Sequence, residues 1–191
     1  MTSESAPREE PYDVVLLVEQ PLTAADAAQI RTLHQELDDD PTIQVVYHVL
    51  LPMADAAAAV EASLGVMGGG DLISPPLTPS PDEIEHLREE YRDQAARDVE
   101  STRVALTSAG AVVGTGTVVT GAPVDALTEK VKEVDGREAI VLTRPHVVAE
   151  FFHVDWTSRA RRKLGVPVLH LLEHETLAEQ AAGGGEGISG A

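Results

Sequence analysis

The sequence predicts one α/β domain built on an open, five-stranded parallel sheet with helices on both faces. Three observations predict this fold class. Five strand-like runs alternate with helical patterns, several of these runs are apolar throughout, and 191 residues with 43% hydrophobic content suit a single core. Strands that alternate with helices usually form parallel sheets with right-handed crossovers, so all five strands should point the same way.

The first half of the chain predicts strand, helix and strand. The run "YDVVLLVEQ", residues 12–20, is nearly all apolar, which is typical of a parallel strand covered on both faces. Thr23 can cap the following helix with Asp26 three residues on, and apolar residues then recur at helical spacing up to "DDDP". The run "TIQVVYHVLLP", residues 42–52, predicts a second buried strand that ends at Pro52, which cannot donate to a ladder.

A long helix follows an interruption in the middle of the chain. Residues 53–80 are predicted to be an insertion or lid, because glycine and proline in "GVMGGGDLISPPLTPS" oppose regular structure. Ser80 and Glu83 then form a capping-box pattern with Pro81 between them at the first helical position. Apolar residues at steps of three and four predict a helix that continues to about Ala109.

The last part of the domain repeats the alternation. "AVVGTGTVVTG" predicts the third strand, "APVDALTEKVKEVDG" a helix opened by Pro123 and ended near Gly136, and "EAIVLT" the fourth strand. A helix over residues 147–164 and a final strand in "VPVLHLL" complete the pattern. We therefore expect a disordered N-terminus over residues 1–11, the α/β domain over residues 12–174, and a flexible tail over residues 175–191.

The charge balance excludes several classes of partner. Fourteen basic and 32 acidic residues give a net charge of -18, which repels the phosphates of nucleic acids and anionic lipids. No apolar run reaches the roughly 18 residues that a membrane helix needs, and the start "MTSESAPREEPYD" is unlike a signal peptide. We therefore expect a cytoplasmic protein that binds neither nucleic acid nor a membrane. The absence of cysteine excludes disulfides, thiol catalysis and thiolate metal sites.

Two motifs resemble those of a known family. "VVTGAPVDAL" is similar to the Gly-Asp-Pro-x-x-x-Ile turn after strand three of universal stress proteins, with Gly121 and Pro123 matching and Ala122 in place of Asp. "GVPVLHLL" is similar to the Pro-Val-Leu-Val-Val final strand of that family. By these motifs and their order, residues 12–172 resemble the universal stress protein family, in the adenine nucleotide alpha hydrolase-like (HUP) superfamily. The resemblance implies a Rossmann-like fold and, with the alternation of elements, the strand order 3-2-1-4-5.

The chain departs from the nucleotide-binding members of this family at two places. Those members carry an Asp at the end of strand one, where this chain has Glu19, Gln20 and Pro21. They also carry Gly-x-x-Gly, nine residues and Gly-Ser or Gly-Thr after strand four, whereas this chain has no glycine between Thr143 and Leu164. Phosphate loops need glycine because backbone amides must approach the phosphates closely. The chain therefore resembles a divergent, actinobacterial-type member that lacks the ATP loop; no cofactor is expected, and ATP is disfavoured.

The candidate ligand site lies beyond the carboxyl ends of strands one and four, where the topology of such sheets reverses. There "VEQP" and "TRPH" should face each other. With the turn motif included, the candidate ligand-binding residues are Glu19, Gln20, Gly121, Thr143, Arg144 and His146. Arg144 could hold a small anionic ligand in a fork, and His146 could exchange protons near neutral pH. The simpler alternative is that Arg144 pairs with Glu19 and that His146 only begins a helix.

A metal site is a weaker alternative. His146, Glu150 and His153 share one face of the predicted helix, and imidazole and carboxylate at this spacing suit zinc or another divalent cation. Exposed helices carry such triplets by chance, and no fourth ligand is identifiable. No metal is therefore expected.

The final strand predicts a homodimer. Pro167 favours a position at the edge of the sheet, and the strand would present an apolar edge that proteins normally cover. In the resembled family this strand often pairs with its two-fold mate. The predicted interface residues are Val166, Val168, Leu169, His170 and Leu171.

These observations favour a universal-stress-protein-like binding or regulatory protein of the stress response over an enzyme, and no catalytic residue is assigned. The alternative is a small nucleotide- or phosphate-dependent hydrolase or transferase that uses the cleft of Arg144 and His146. The sequence contains neither a Gly-x-Ser-x-Gly elbow nor a Walker loop. His34, His48 and His86 have no suggestive neighbours in the sequence.

Overall fold

Five parallel strands form one sheet in the order β3-β2-β1-β4-β5, as predicted. The computed structural model describes residues 10–38, 40–53, 80–143 and 163–172. The elements in chain order are β1 (Glu10–Val18), α1 (Ala24–Leu33), α2 (Gln35–Asp38), β2 (Ile43–Pro52), α3 (Pro81–Ser108), β3 (Val112–Val119), α4 (Pro123–Glu133), β4 (Glu138–Thr143) and β5 (Val168–Leu172). The predicted insertion, apart from its ends, and most of the predicted helix over residues 147–164 lie outside the described residues.

The central strand β1 is buried on both faces, which is why its sequence is an apolar run without alternation. Val14, Leu16 and Val18 face a core that includes Ala27 and Ile30 of α1. That first face also receives α3, through a set of residues on one side of the long helix: Ala95, Val99 and Leu106. The first face of the sheet is therefore the face covered by α1 and α3.

The second face of the sheet is covered by α4 and by the segment that leads into β5. Val15 and Leu17 of β1 pack in a separate core with Leu127 and Val131 of α4 and with Leu164. The connection from β3 to β4 crosses the second face. The connections from β1 to β2 and from β2 to β3 cross the first face. Right-handed crossovers require this arrangement for the observed strand order.

Two predicted capping boxes begin α1 and α3. The Thr23 side chain accepts from the Asp26 amide and the Asp26 carboxylate accepts from the Thr23 amide; Ser80 and Glu83 make the same exchange. These bonds satisfy amides that have no partner within the helix. The Asp40 and Glu83 carboxyls, bonded to Thr42 and Ser80 respectively, have pKa values below their usual range for that reason.

The boundaries of some elements differ from the prediction. β1 begins at Glu10 and ends at Val18, so Glu19 and Gln20 follow the strand rather than end it. The predicted first helix is divided at His34, which ends α1 before the short α2 begins. The reason is a tertiary contact: the His34 ring is buried and hydrogen-bonded to Tyr47 of β2, which holds the chain against the sheet at this point. α3 ends at Ser108, one residue from the expected end, and β4 has the predicted bounds.

Candidate functional site

The carboxyl ends of β1 and β4 lie side by side at the reversal of strand order. Val18 is in register with Leu142, and the Glu19 amide donates to the Leu142 carbonyl at 3.2 Å, just beyond the end of β1. α1 follows β1 on the first face, whereas Leu164, which precedes β5, packs on the second. Because the connections leave on opposite faces, this is the place where α/β sheets open a crevice.

The turn between β1 and α1 is fixed by a contact from far along the chain. The buried amide of Leu22 donates to the Thr102 hydroxyl of α3 at 3.2 Å. Leu22 itself is buried in the first core, and the Thr23 capping box follows directly. The strand end that carries Glu19 and Gln20 is thus held at both sides, by β4 and by α3.

Thr143 ends β4 and is nearly buried. Its hydroxyl lies 2.8 Å from Nε2 of His170 on the neighbouring β5. Burial lowers the pKa of His170, which favours the neutral imidazole. His170, predicted as an interface residue, is therefore also the hydrogen-bond partner of a candidate ligand-binding residue.

Three of the six candidate residues, Glu19, Gln20 and Thr143, lie at the neighbouring ends of β1 and β4. Gly121 lies at the same edge of the sheet but two strands away, where it lines a groove of about 420 Å³ between β3 and α4. Arg144 and His146 lie outside the described residues, as do Glu150 and His153 of the alternative metal set. Within the described ranges, no group of three His, Cys, Asp or Glu side chains is placed to hold a metal ion.

The groove beside Gly121 has acidic side chains along its helical wall. Asp125, Glu129 and Glu133 of α4 line it opposite Thr117 and other residues of β3. Asp125 pairs with Lys163 at 2.5 Å, and Glu133 pairs with Lys130 at 2.8 Å. Two of the three carboxylates are thus paired with lysines, and the groove has no strong charge of its own to offer a ligand.

Two buried histidines make well-defined contacts in the amino half of the sheet. The residues beside them in the sequence had not indicated a role for either. His34 on the first face lies 2.8 Å from the Tyr47 hydroxyl through Nδ1 and 3.2 Å from the Glu138 carboxylate through Nε2. His48 on the second face lies between Asp13 and Thr115. Burial raises the pKa of Tyr47 to about 12, so its hydroxyl keeps the proton that it donates to His34. For His48 the available sequence signal is a histidine inside an apolar strand, because buried imidazoles need partners.

Neither a protein-family model nor a curated protein matches the sequence. Several solved structures do match, over most of this chain and most of their own chains. A universal stress protein family member from Burkholderia pseudomallei is 19% identical, with 84% of this chain and 96% of that chain covered and a TM-score of 0.44. A family member from Arabidopsis thaliana with AMP bound is 14% identical, with 86% and 93% covered and a TM-score of 0.45. A universal stress protein in complex with cAMP is 14% identical, with 84% and 97% covered and a TM-score of 0.45.

The parallel order β3-β2-β1-β4-β5, with helices on both faces, is that of an open, Rossmann-like α/β sheet. At these identities and TM-scores, the likeness does not extend to a function. In the described ranges, no helix combines the length and the apolar character that a membrane span needs.

Proposed function

We propose that this chain is a universal-stress-protein-like binding or regulatory protein that takes a small ligand in the crevice between β1 and β4 and is not an ordinary ATP binder. The observation that carries the proposal is the reversal of strand order at β1 and β4, where the strand ends are joined by the bond from Glu19 to Leu142. Sheets of this type bind their ligands at that point.

Our proposal that the chain is not an ordinary ATP binder rests on the chemistry of phosphate loops. A loop that wraps phosphates presents several backbone amides at close range, which side chains at each position would block. The chain has no glycine between Thr143 and Leu164. Its net charge of -18 adds a general repulsion toward a polyanion such as ATP.

The ligand that we propose is a small anion held through Arg144, which follows Thr143 directly in the sequence. Wherever a guanidinium is buried it needs an anionic partner, because an unpaired buried cation is costly. Glu19, on the neighbouring strand end, is the internal candidate for that partner. The balance between Glu19 and an external anion decides whether the crevice binds or only supports the fold.

Calorimetric titration with ATP and magnesium tests the first part of the proposal. We expect a dissociation constant above about 10 μM, which corresponds to binding weaker than about -7 kcal/mol. Tighter, saturable binding with one nucleotide per chain would contradict the argument from the missing glycines.

A thermal-shift screen of small phosphates and carboxylates tests the second part. An external ligand should raise the melting temperature of the parent protein and of Arg103→Ala, a control at an exposed arginine of α3 that pairs with Glu100. Arg144→Ala should lose that shift. If no anion stabilises the parent and Arg144→Ala only lowers its stability, then Glu19 is the partner and the crevice is structural.

We also propose that the chain forms a homodimer through β5, which pairs with β4 on one side. Val168 and Leu171 are buried within the chain's own cores, so a partner strand would meet the backbone of β5 together with the half-buried Leu169 and His170. Light scattering should give twice the chain mass. Leu169→Glu should halve it, whereas Val104→Glu, on an exposed position of α3, should leave it unchanged. A monomeric parent protein would contradict the proposal.

A further inference from the structure

Three side chains from adjacent strands form a continuous hydrogen-bonded line on the second face of the sheet. Oδ1 of Asp13 on β1 lies 2.7 Å from Nε2 of His48 on β2. Nδ1 of the same ring lies 3.0 Å from Oγ1 of Thr115 on β3. The line lies in the amino half of the sheet, away from the strand ends that form the crevice, and its members are 35 and 67 residues apart in the chain.

The protonation pattern of this line follows from the hydrogen-bonding capacity of its members. An ionised carboxylate can only accept, so Nε2 of His48 carries the hydrogen that lies toward Asp13. Nδ1 of the neutral ring then has a free lone pair and accepts from the Thr115 hydroxyl. The imidazole is thereby held in the tautomer in which its basic nitrogen points at a hydroxyl group.

The three side chains differ in their exposure to solvent. The side chains of His48 and Asp13 are 8% and 15% exposed, whereas Thr115 is exposed at the edge of the sheet. A base and its carboxylate shielded from water interact more strongly than in solvent. The hydroxyl, in contrast, is the member of the line that a molecule in solution can reach.

The backbone of β3 is shaped around the imidazole. Tyr47 pairs with Val113 and Val49 with Gly116, so two residues of β3, Gly114 and Thr115, stand opposite His48. Such a bulge re-aims side chains and ends regular pairing, and bulges are frequent beside active sites. A Cβ at Gly114 would lie 2.6 Å from Cε1 of His48, so glycine is needed for the ring to lie against the strand.

We propose that Thr115 is a nucleophile, with His48 as its general base and Asp13 as the positioning residue, and that the site accepts small, neutral acyl esters. A nucleophile bonded to a base, with the base oriented by a third group, is the arrangement that activates hydroxyl groups on unrelated folds. The net charge of -18 opposes anionic acyl donors. The exposed position of Thr115 on β3, the outermost strand of the sheet in the described residues, favours small substrates over ones that need a deep pocket.

The reaction proceeds in two balanced steps. Oγ1 of Thr115 bonds to the ester carbonyl carbon while its proton passes to Nδ1 of His48. The carbon–oxygen bond to the alcohol then breaks, the alcohol takes the proton from Nδ1, and Thr115 carries the acyl group. In the second step water adds to this threonyl ester with His48 again as base. The carboxylic acid leaves, and the Thr115 hydroxyl is restored.

The first experiment uses 4-nitrophenyl acetate with the full-length chain. We expect a burst of nitrophenol equal to one equivalent of protein, with the acetyl group on Thr115 in peptide mass spectrometry. Thr115→Ala should abolish the burst, because no hydroxyl group remains to carry the acetyl group, and Thr115→Ser should retain it. Thr117→Ala, on the same strand and the same face, is the matched control and should behave as the parent.

Since Thr115 is exposed, its variants are expected to fold, which circular dichroism checks. Unchanged hydrolysis by Thr115→Ala, or acetyl found on a lysine or histidine instead of Thr115, would overturn the proposal.

A second experiment does not depend on activity. Nitrogen-15 NMR of labelled histidines reports which ring nitrogen of His48 carries hydrogen. We expect Nε2 to be protonated in the parent protein and this preference to weaken in Asp13→Asn, whose amide no longer demands a donor. A ring protonated at Nδ1 in the folded parent protein would remove the base from the mechanism and overturn the proposal.

Discussion

The carboxyl end and the amino half of this sheet obtain their candidate sites in opposite ways. At the carboxyl end the backbone topology makes the site: β1 and β4 are neighbours whose connections leave on opposite faces, whatever side chains follow. In the amino half, side chains make the sites, because His34 and His48 each connect residues that are far apart in sequence. Topology therefore locates the first region from sequence alone, whereas only tertiary contacts reveal the second.

The first prediction tests whether the polar contacts of the amino half stabilise the fold. His34→Ala removes the partner of the Tyr47 hydroxyl and of the Glu138 carboxylate and opens space in the core. We expect a loss of about 3 kcal/mol in the free energy of unfolding, from unsatisfied polar groups and lost packing together. Urea titration measures it. His86→Ala, at a histidine 72% exposed on α3, is the control and should leave the midpoint unchanged.

The second prediction compares glycines from the two regions. Gly114→Ala should cost about 1–3 kcal/mol, because the new Cβ would lie 2.6 Å from the His48 ring and force the ring or the strand to move. Gly121→Ala, at the carboxyl end, meets nothing within 4 Å and should change the free energy of unfolding by less than about 0.5 kcal/mol. Equal losses at the two positions would show that β3 is not built around His48.

The third prediction concerns the turn at the carboxyl end. Thr102→Val keeps the shape of the side chain but removes the acceptor of the buried Leu22 amide. We expect a loss of about 1–2 kcal/mol in the free energy of unfolding. Amide hydrogen exchange should also become faster at Leu22. Thr107→Val, on an exposed position of the same helix, is the control; an unchanged exchange rate at Leu22 would mean that the turn does not depend on α3.

The smallest expected effect is a pH dependence at β5. Burial lowers the pKa of His170 in the folded chain below the ordinary histidine value of 6.5. The unfolded chain therefore takes up a proton first as the pH falls, so the contribution of His170 to stability is complete above pH 6.5 and is lost as the pH falls through the lower, folded value. His170→Gln should reduce the stability difference between about pH 8 and about pH 5.5. An unchanged difference, measured by thermal unfolding, would contradict this assignment.

The sequence predicts the parts of the fold whose causes are local. β4 has its predicted bounds because "EAIVLT" is an apolar run buried on both faces, and the Thr23 and Ser80 caps follow from bonds within four residues. The division of the first helix at His34 was not predictable in this way. Its cause is a bond to Tyr47 on another element, and hydrophobic spacing carries no information about it.

The same distinction between local and tertiary causes applies to the candidate sites. Glu19, Gln20 and Thr143 could be placed at neighbouring strand ends because parallel strands bring their carboxyl ends to one edge of the sheet. The partners of His48 could not be named, since Asp13 and Thr115 come beside it only through the register of three strands and a bulge in β3. The same is true of Val168 and Leu171. The apolar sequence of β5 did not reveal that the two cores of the domain would bury these side chains.

The register of β1 also has a consequence for the order in which the chain can fold during synthesis. One neighbour of β1 is β2, which follows closely, but the other is β4, and Val14 must wait for Glu138 to be made. More than a hundred residues separate the end of β1 from the start of β4. At roughly 5–20 residues per second, a ribosome takes on the order of ten seconds to add them. For that time the central strand of the sheet has one open edge, and the nascent chain depends on chaperones or early helix docking to keep that edge from pairing with another chain.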